Sequence, residues 1–169
     1  MTSQFNAEEV LEIACQIERN GSIFYRAAAD LVAMESSRSL LLQLADMEEG
    51  HEAVFEDMKS RTEEFNDFLT DPDGIAAAYL KAIAGNHVFV SGEKPGDLFG
   101  PETTARDVLR AALNAEFASI AFFQGILDNI PSEFGRDKLK EVIMEEQEHV
   151  VIINKKIISL ANHKERIGI

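Results

Sequence analysis

The chain has 169 residues, 46% of them apolar, with 30 Asp and Glu against 16 Lys and Arg. That length predicts one domain, residues 1–169, with a sizeable core. The net charge of -14 argues against nucleic acid and anionic membrane surfaces as partners and favours cations.

The single cysteine, Cys15, allows no intramolecular disulfide and no Cys-x-x-Cys motif. The first residues show no basic region followed by an apolar core, so no export signal is expected. No apolar run reaches membrane-spanning length. A cytoplasmic location is the default expectation.

In chain order, Asn6 and Glu9 read as a helix N-cap with its third-position acid. Leu11, Ala14, Glu18, Gly21, Tyr25, Ala28 and Val32 then follow three- and four-residue steps. They predict a first helix over about 7–34. Ser36 and Ser37 are expected to cap a second, running to about residue 66, whose stripe is Leu41, Leu44, Glu48, His51, Phe55 and Met58. Residues 67–103 break the pattern. Asp71-Pro72 starts a short helix over 75–84, and residues 85–101 read as loop. This stretch is too long for a turn between adjacent antiparallel helices and suits a crossover along a bundle.

Thr103 or Thr104 is expected to cap a third long helix, to about Asn129, with the stripe Leu109, Ala112, Glu116, Ser119, Phe123 and Ile126. Pro131-Ser132 interrupts. A fourth helix carries Leu139, Val142, Glu146, His149 and Ile153, to about Ala161. The fold class is therefore all-α: a four-helix bundle of two hairpins joined by a long crossover containing a short helix.

Two Glu-x-x-His pairs lie on these stripes, Glu48 with His51 and Glu146 with His149. Side chains three apart share one face of a helix and can reach the same point. Each pair follows a lone Glu by 30 residues, Glu18 and Glu116, and the second set is the first displaced by 98. The displacement also pairs Leu11 with Leu109, Ala14 with Ala112, Phe24 with Phe122, Leu41 with Leu139 and Val54 with Ile152. Two copies of one helical hairpin are implied.

Equal height in an antiparallel hairpin requires equal distance from the turn. Residues 18 and 48 have their midpoint at 33, beside the Ser36-Ser37 break, and 116 and 146 at 131, the proline of the second break. All six side chains should meet mid-bundle, about 22 Å from the turns. One Glu-x-x-His on a helix is commonly a surface accident. Two, on core stripes with matched upstream carboxylates, form a ligand set for two metal ions. A charge on a core stripe is costly unless paired or metal-bound.

Glu18 with His51 would hold one ion and Glu116 with His149 the other, Glu48 and Glu146 bridging. Oxygen-rich sites with one imidazole each suit iron or manganese, with zinc as a redox-inert alternative. Ala14, Gly21, Ala112 and Ser119 leave room beside the lone carboxylates, and Tyr25 and Phe123 would cap the space. Tyr25 is a candidate catalytic residue, although packing is the commoner role of an aromatic there. His87 and His163 are expected to be exposed. Glu49, Glu52, Glu145 and Glu148 read as a solvated face able to guide cations inward. Cys15 is expected to be buried and inert.

These residues resemble the ferritin-like superfamily of di-iron carboxylate proteins, and most closely its rubrerythrin-like branch. The resemblance covers about residues 7–66 and 103–161. It implies two irons acting on peroxide, oxygen or ferrous iron, and a homodimer or larger homo-oligomer. Two departures stand out. Rubrerythrins carry a four-cysteine rubredoxin domain, which this chain, with a single cysteine, cannot supply, so a separate electron donor is expected. They also carry an extra Glu beside the third helix's lone Glu, where this chain has Ala112, Leu113, Ser119 and Ile120. The centre therefore looks more like the simpler bacterioferritin type. An oxidoreductase of peroxidase or ferroxidase type is the leading expectation. The alternatives are a non-catalytic iron carrier, buffer or sensor, and a site that only holds the bundle together.

Overall fold

The computed structural model describes residues 7–62, 74–86, 99–100, 102–130 and 134–160. Five α-helices account for nearly all of them: α1 (Ala7–Leu31), α2 (Glu35–Ser60), α3 (Ile75–Asn86), α4 (Ala105–Asn129) and α5 (Arg136–Ser159). Helices α1 and α2 form one hairpin and α4 and α5 the second, with α3 laid against α4. The two hairpins meet through α1 against α4 and α2 against α5. Asp57 of α2 reaches Lys138 of α5 at 3.2 Å, and His51 reaches Glu145 at 2.8 Å. Rising numbers in α2 thus face falling numbers in α5, so these helices are antiparallel.

In α1, Leu11, Ala14, Glu18, Gly21, Tyr25 and Ala28 are all buried. The three- and four-residue spacing therefore does set the inward stripe. The helix stops at Leu31, short of 34, because the turn takes Val32, Ala33 and Met34. Its expected cap Asn6 lies outside the described residues.

Ser36 and Ser37 do not cap α2. Met34 takes that place, its carbonyl accepting from Ser37 N at 2.9 Å and Arg38 N at 3.0 Å, with no side-chain cap. Both serines already lie in the first turn. Ser37 is buried, and the Ser36 hydroxyl instead accepts from Lys156 Nζ of α5 at 2.6 Å. Helix α2 ends at Ser60, and the further stretch expected to 66 lies largely outside the described residues.

Asp71 and Pro72, like most of the crossover, lie outside the described residues. Helix α3 runs two residues beyond the expected 84 and buries Ala77, Leu80 and Ala84 on one face. Gly125 of α4 permits its approach: a Cβ there would stand 2.9 Å from Leu80 Cδ2 and 3.2 Å from Tyr79 Cε1.

Thr104 caps α4 as expected. Its hydroxyl accepts from Asp107 N at 3.2 Å, and Asp107 Oδ2 accepts from Thr104 N at 3.0 Å. Such reciprocal caps satisfy two backbone donors that the helix leaves open. Helix α4 ends at Asn129 and α5 begins at Arg136, with Pro131 and Ser132 outside the described residues. Gly135 begins α5 with φ 73°, a left-handed conformation that glycine adopts without steric cost. The Arg136 guanidinium donates to the carbonyls of Leu127 and Ile130 at 2.7 and 2.9 Å, occupying acceptors at the end of α4.

The core follows the 98-residue repeat. Leu11 and Leu109, Ala14 and Ala112, Phe24 and Phe122, and Leu41 and Leu139 are all buried. Val54 and Ile152 diverge: Val54 packs against the core and Ile152 is exposed. Exposed Met144, Val151 and Ile158 recur every seven residues along α5. Among the described residues no helix is long and apolar enough to cross a membrane. His87 and His163 lie outside the described residues.

Candidate metal centre

Midway along the bundle, Glu18, Glu48, His51, Glu116, Glu146 and His149 converge. None is more than 3% exposed, although each is charged or titratable. The turn between α1 and α2 is centred on residue 33, where the equal-height reasoning puts it. The rings of His51 and His149 stack with centroids 5.5 Å apart.

Both imidazoles turn Nδ1 towards the carboxylates. His51 Nδ1 lies 2.9 Å from Glu146, 3.5 Å from Glu18 and 3.9 Å from Glu48. His149 Nδ1 lies 3.2 Å from Glu146, 3.3 Å from Glu48 and 3.7 Å from Glu116. Two overlapping groups result, each with its donor atoms within 4.8 Å of one another: Glu18, Glu48, His51 and Glu146, and Glu48, Glu116, Glu146 and His149. Ligand distances of about 2.1 Å put opposite ligands about 4.2 Å apart, so each group has the span of one ion. Glu48 and Glu146 belong to both.

The protons in this cluster are displaced from their ordinary places. Burial, then the charge of Glu146, pushes Glu116 up to about 8. Burial first, and neighbouring carboxylates second, hold Glu18 and Glu48 well above the usual range. Glu146 goes the other way: burial opposes its charge, but hydrogen bonds from His149 and His51 outweigh it. Burial works against the imidazolium of His51, yet Glu146, Glu48 and Glu145 raise it to about 9. His149 is likewise raised by Glu116, Glu146 and Glu48 against the effect of burial.

Two residues beyond the six touch the cluster. Tyr25 is fully buried, and its hydroxyl donates to Glu116 Oε1. An aromatic on this stripe ordinarily packs, but Tyr25 reaches the cluster through its hydroxyl. Phe123 is buried against Phe55, with ring centroids 4.8 Å apart. Glu145, expected on a solvated face, accepts from His51 Nε2 at 2.8 Å while remaining 51% exposed. Its role could be read only once α2 and α5 were paired, because nothing local marks it. Glu49 and Glu52 pair with Arg26 and Arg19, at 2.6 and 2.7 Å, across α1 and α2. Such solvent-screened surface pairs contribute little to stability. A surface groove of about 350 Å³ between α2 and α5 includes His51, Glu145, Gly50, Val54 and Lys138.

Cys15 is buried with no disulfide, and burial, then the charge of nearby Glu56, pushes its thiol up to about 12. That agrees with the expectation of an inert thiol.

The Rubrerythrin family model matches residues 9–85, which include Glu18, Glu48 and His51. The crystal structure of a proposed ferritin-like diiron-carboxylate protein from Thermotoga maritima superposes with TM-score 0.63. It is 20% identical, and the match covers 94% of this chain and 96% of that one. The chain shares the fold of that ferritin-like bundle, and its first half is similar to the Rubrerythrin family. No curated protein matches it.

The cluster's own atoms bear on whether it suits a metal. Both oxygens of Glu18, Oε1 of Glu48, Oε2 of Glu116 and Nε2 of His149 are buried without a hydrogen-bond partner. Buried polar atoms are normally paired. Carboxylate oxygens that face one another with too few donors suit cations instead. The set therefore fits a pair of metal ions, and its oxygen-rich composition with one imidazole per group suits iron or manganese. Ala112 and Ser119 are buried beside Glu116. Among the described residues no further carboxylate joins either group.

Proposed function

We propose that the chain is a di-iron oxidoreductase that reduces peroxide or oxygen, or oxidises ferrous iron. The reading is carried by one observation: four buried carboxylates and two imidazoles share a site whose inner atoms lack enough hydrogen-bond donors. Glu18 and His51 would hold one ion, Glu116 and His149 the other, with Glu48 and Glu146 between them. Four carboxylate charges balance two divalent ions. A bound pair of irons supplies two-electron chemistry towards oxygen or peroxide.

The chain's own residues hold and shield that centre. His51 Nε2 donates to Glu145, which leaves Nδ1 free to ligate. The Tyr25 hydroxyl at Glu116 places a proton beside the second group. Phe55, Phe122 and Phe123, all buried, exclude water. The groove at His51 and Glu145 would offer a small oxidant an approach to the cluster. Electrons would come from a separate donor.

The test is turnover of peroxide or oxygen by iron-loaded protein with a chemical reductant. Turnover that disappears in Glu48→Ala and Glu146→Ala supports the proposal. Reversible release of metal without turnover, under every reductant tried, overturns it and leaves an iron buffer or sensor.

A further inference from the structure

The two halves of the cluster have the same ligand types but different surroundings. Displacement by 98 residues turns Glu18, Glu48 and His51 into Glu116, Glu146 and His149. It also turns Tyr25 into Phe123 and Met47 into Glu145. Those two exchanges fall at the two outer contacts of the cluster. The Tyr25 hydroxyl donates to Glu116, whereas Phe123 has no hydroxyl for Glu18. Neither oxygen of Glu18 has a hydrogen-bond partner. Glu145 accepts from His51 Nε2, whereas Met47 has no carboxylate for His149, whose Nε2 is unpartnered.

We propose that these two contacts make the metal positions unequal, so that the position of Glu18 and His51 fills first. The inference rests on the two-metal reading above. Both contacts act in the same direction. A carboxylate that accepts the outer N–H of an imidazole makes the inner nitrogen more basic and fixes the ring. Loss of such a partner costs about 10–100-fold in metal affinity. A phenol that donates to a carboxylate oxygen draws off charge otherwise available to the ion. The first position therefore has the stronger imidazole and the unencumbered carboxylate, and the second has neither. Glu145 and Tyr25 are positioning residues that act through His51 and Glu116. The chain would hold one tight ion and one that exchanges more readily.

The test is a Co²⁺ titration of chelator-stripped protein, followed by calorimetry and by the hyperfine-shifted N–H protons of ligating imidazoles. Repulsion between two ions separates the steps in any such pair, so the identity of the first position filled decides. At one equivalent, the shifted N–H signal should be that of His51, lost in His51→Ala and kept in His149→Ala. Glu145→Gln should weaken the first step about 10-fold and divide the signal between the two imidazoles. Tyr25→Phe should tighten the second step. Glu145 is half-exposed, so its replacement leaves the packing intact. Equal signals from both imidazoles in the unmodified protein, or an unchanged first step in Glu145→Gln, would overturn the proposal. Failure of the two-metal reading looks different: no shifted imidazole signal forms at all, and Glu48→Ala leaves Co²⁺ binding unchanged.

Discussion

Raising the pH from 5 to 9 should destabilise the metal-free protein, and the sign follows from the cluster. Glu116 has its pKa raised from 4.5 to about 8. Between those values the folded state holds a proton that the unfolded state has lost, so stability present below pH 4.5 is lost as pH rises through 8. His51, raised from 6.5 to about 9, acts the same way: its contribution is complete below 6.5 and gone above 9. At about 1.4 kcal/mol per pH unit of displacement, these amount to on the order of 5 and 3 kcal/mol. They share the same neighbouring charges and do not simply add. A loss of about 3–5 kcal/mol is expected, a large share of the 5–15 kcal/mol usual for a domain. Glu146 and the exposed Glu49, Glu56 and Asp57 are lowered. Their contributions are lost only as pH falls below about 4.5, outside this window. The assay is urea unfolding in chelator at pH 5, 7 and 9, followed by helical circular dichroism. Glu116→Gln, which cannot ionise, should flatten the slope below pH 8. Saturating metal should reverse it, because ions displace protons more easily as pH rises. Stability that is flat or rising from pH 5 to 9 in chelator would refute this reading of the cluster.

Other outcomes follow from individual residues. Glu48→Ala and Glu146→Ala, which remove a shared carboxylate, should abolish binding of both ions, whereas Glu18→Ala should leave one. Elemental analysis after gel filtration distinguishes the cases. Cys15, with its thiol pushed up to about 12, should resist a disulfide reagent at pH 8 in the native state and react fully in urea. Immediate reaction without denaturant would contradict its burial. Thr104→Ala removes the hydroxyl that accepts from Asp107 N, leaving the backbone bond from residue 104 to Asp107, and should cost about 1 kcal/mol in urea titration.

The convergence of the six side chains was legible in the sequence because its signal is doubled and metrically constrained. Glu18 and Glu48 are equidistant from a turn marked by other residues, and Glu116 and Glu146 repeat the arrangement. What escaped depends on pairings between helices distant in sequence. Glu145 looks like any acidic residue of an exposed face until α2 and α5 are set antiparallel. Tyr25 sits on an apolar stripe, where an aromatic ring ordinarily packs, and only the position of Glu116 reveals the work of its hydroxyl. Gly125 looks like a weak point in α4 and proves to be where α3 docks. Ser36 and Ser37 have the right side chains for a cap, but the chain turned two residues earlier. There the backbone of Met34 suffices, and Ser36 was drawn to Lys156 on the far hairpin.

Anomalous diffraction at the manganese edge, from crystals of Mn²⁺-loaded protein, tests the whole account most directly. Two peaks per chain are expected, one among Glu18, Glu48, His51 and Glu146, the other among Glu48, Glu116, Glu146 and His149. Peaks confined to surface carboxylates such as Asp46 and Glu49, or a bundle interior without any, would contradict it.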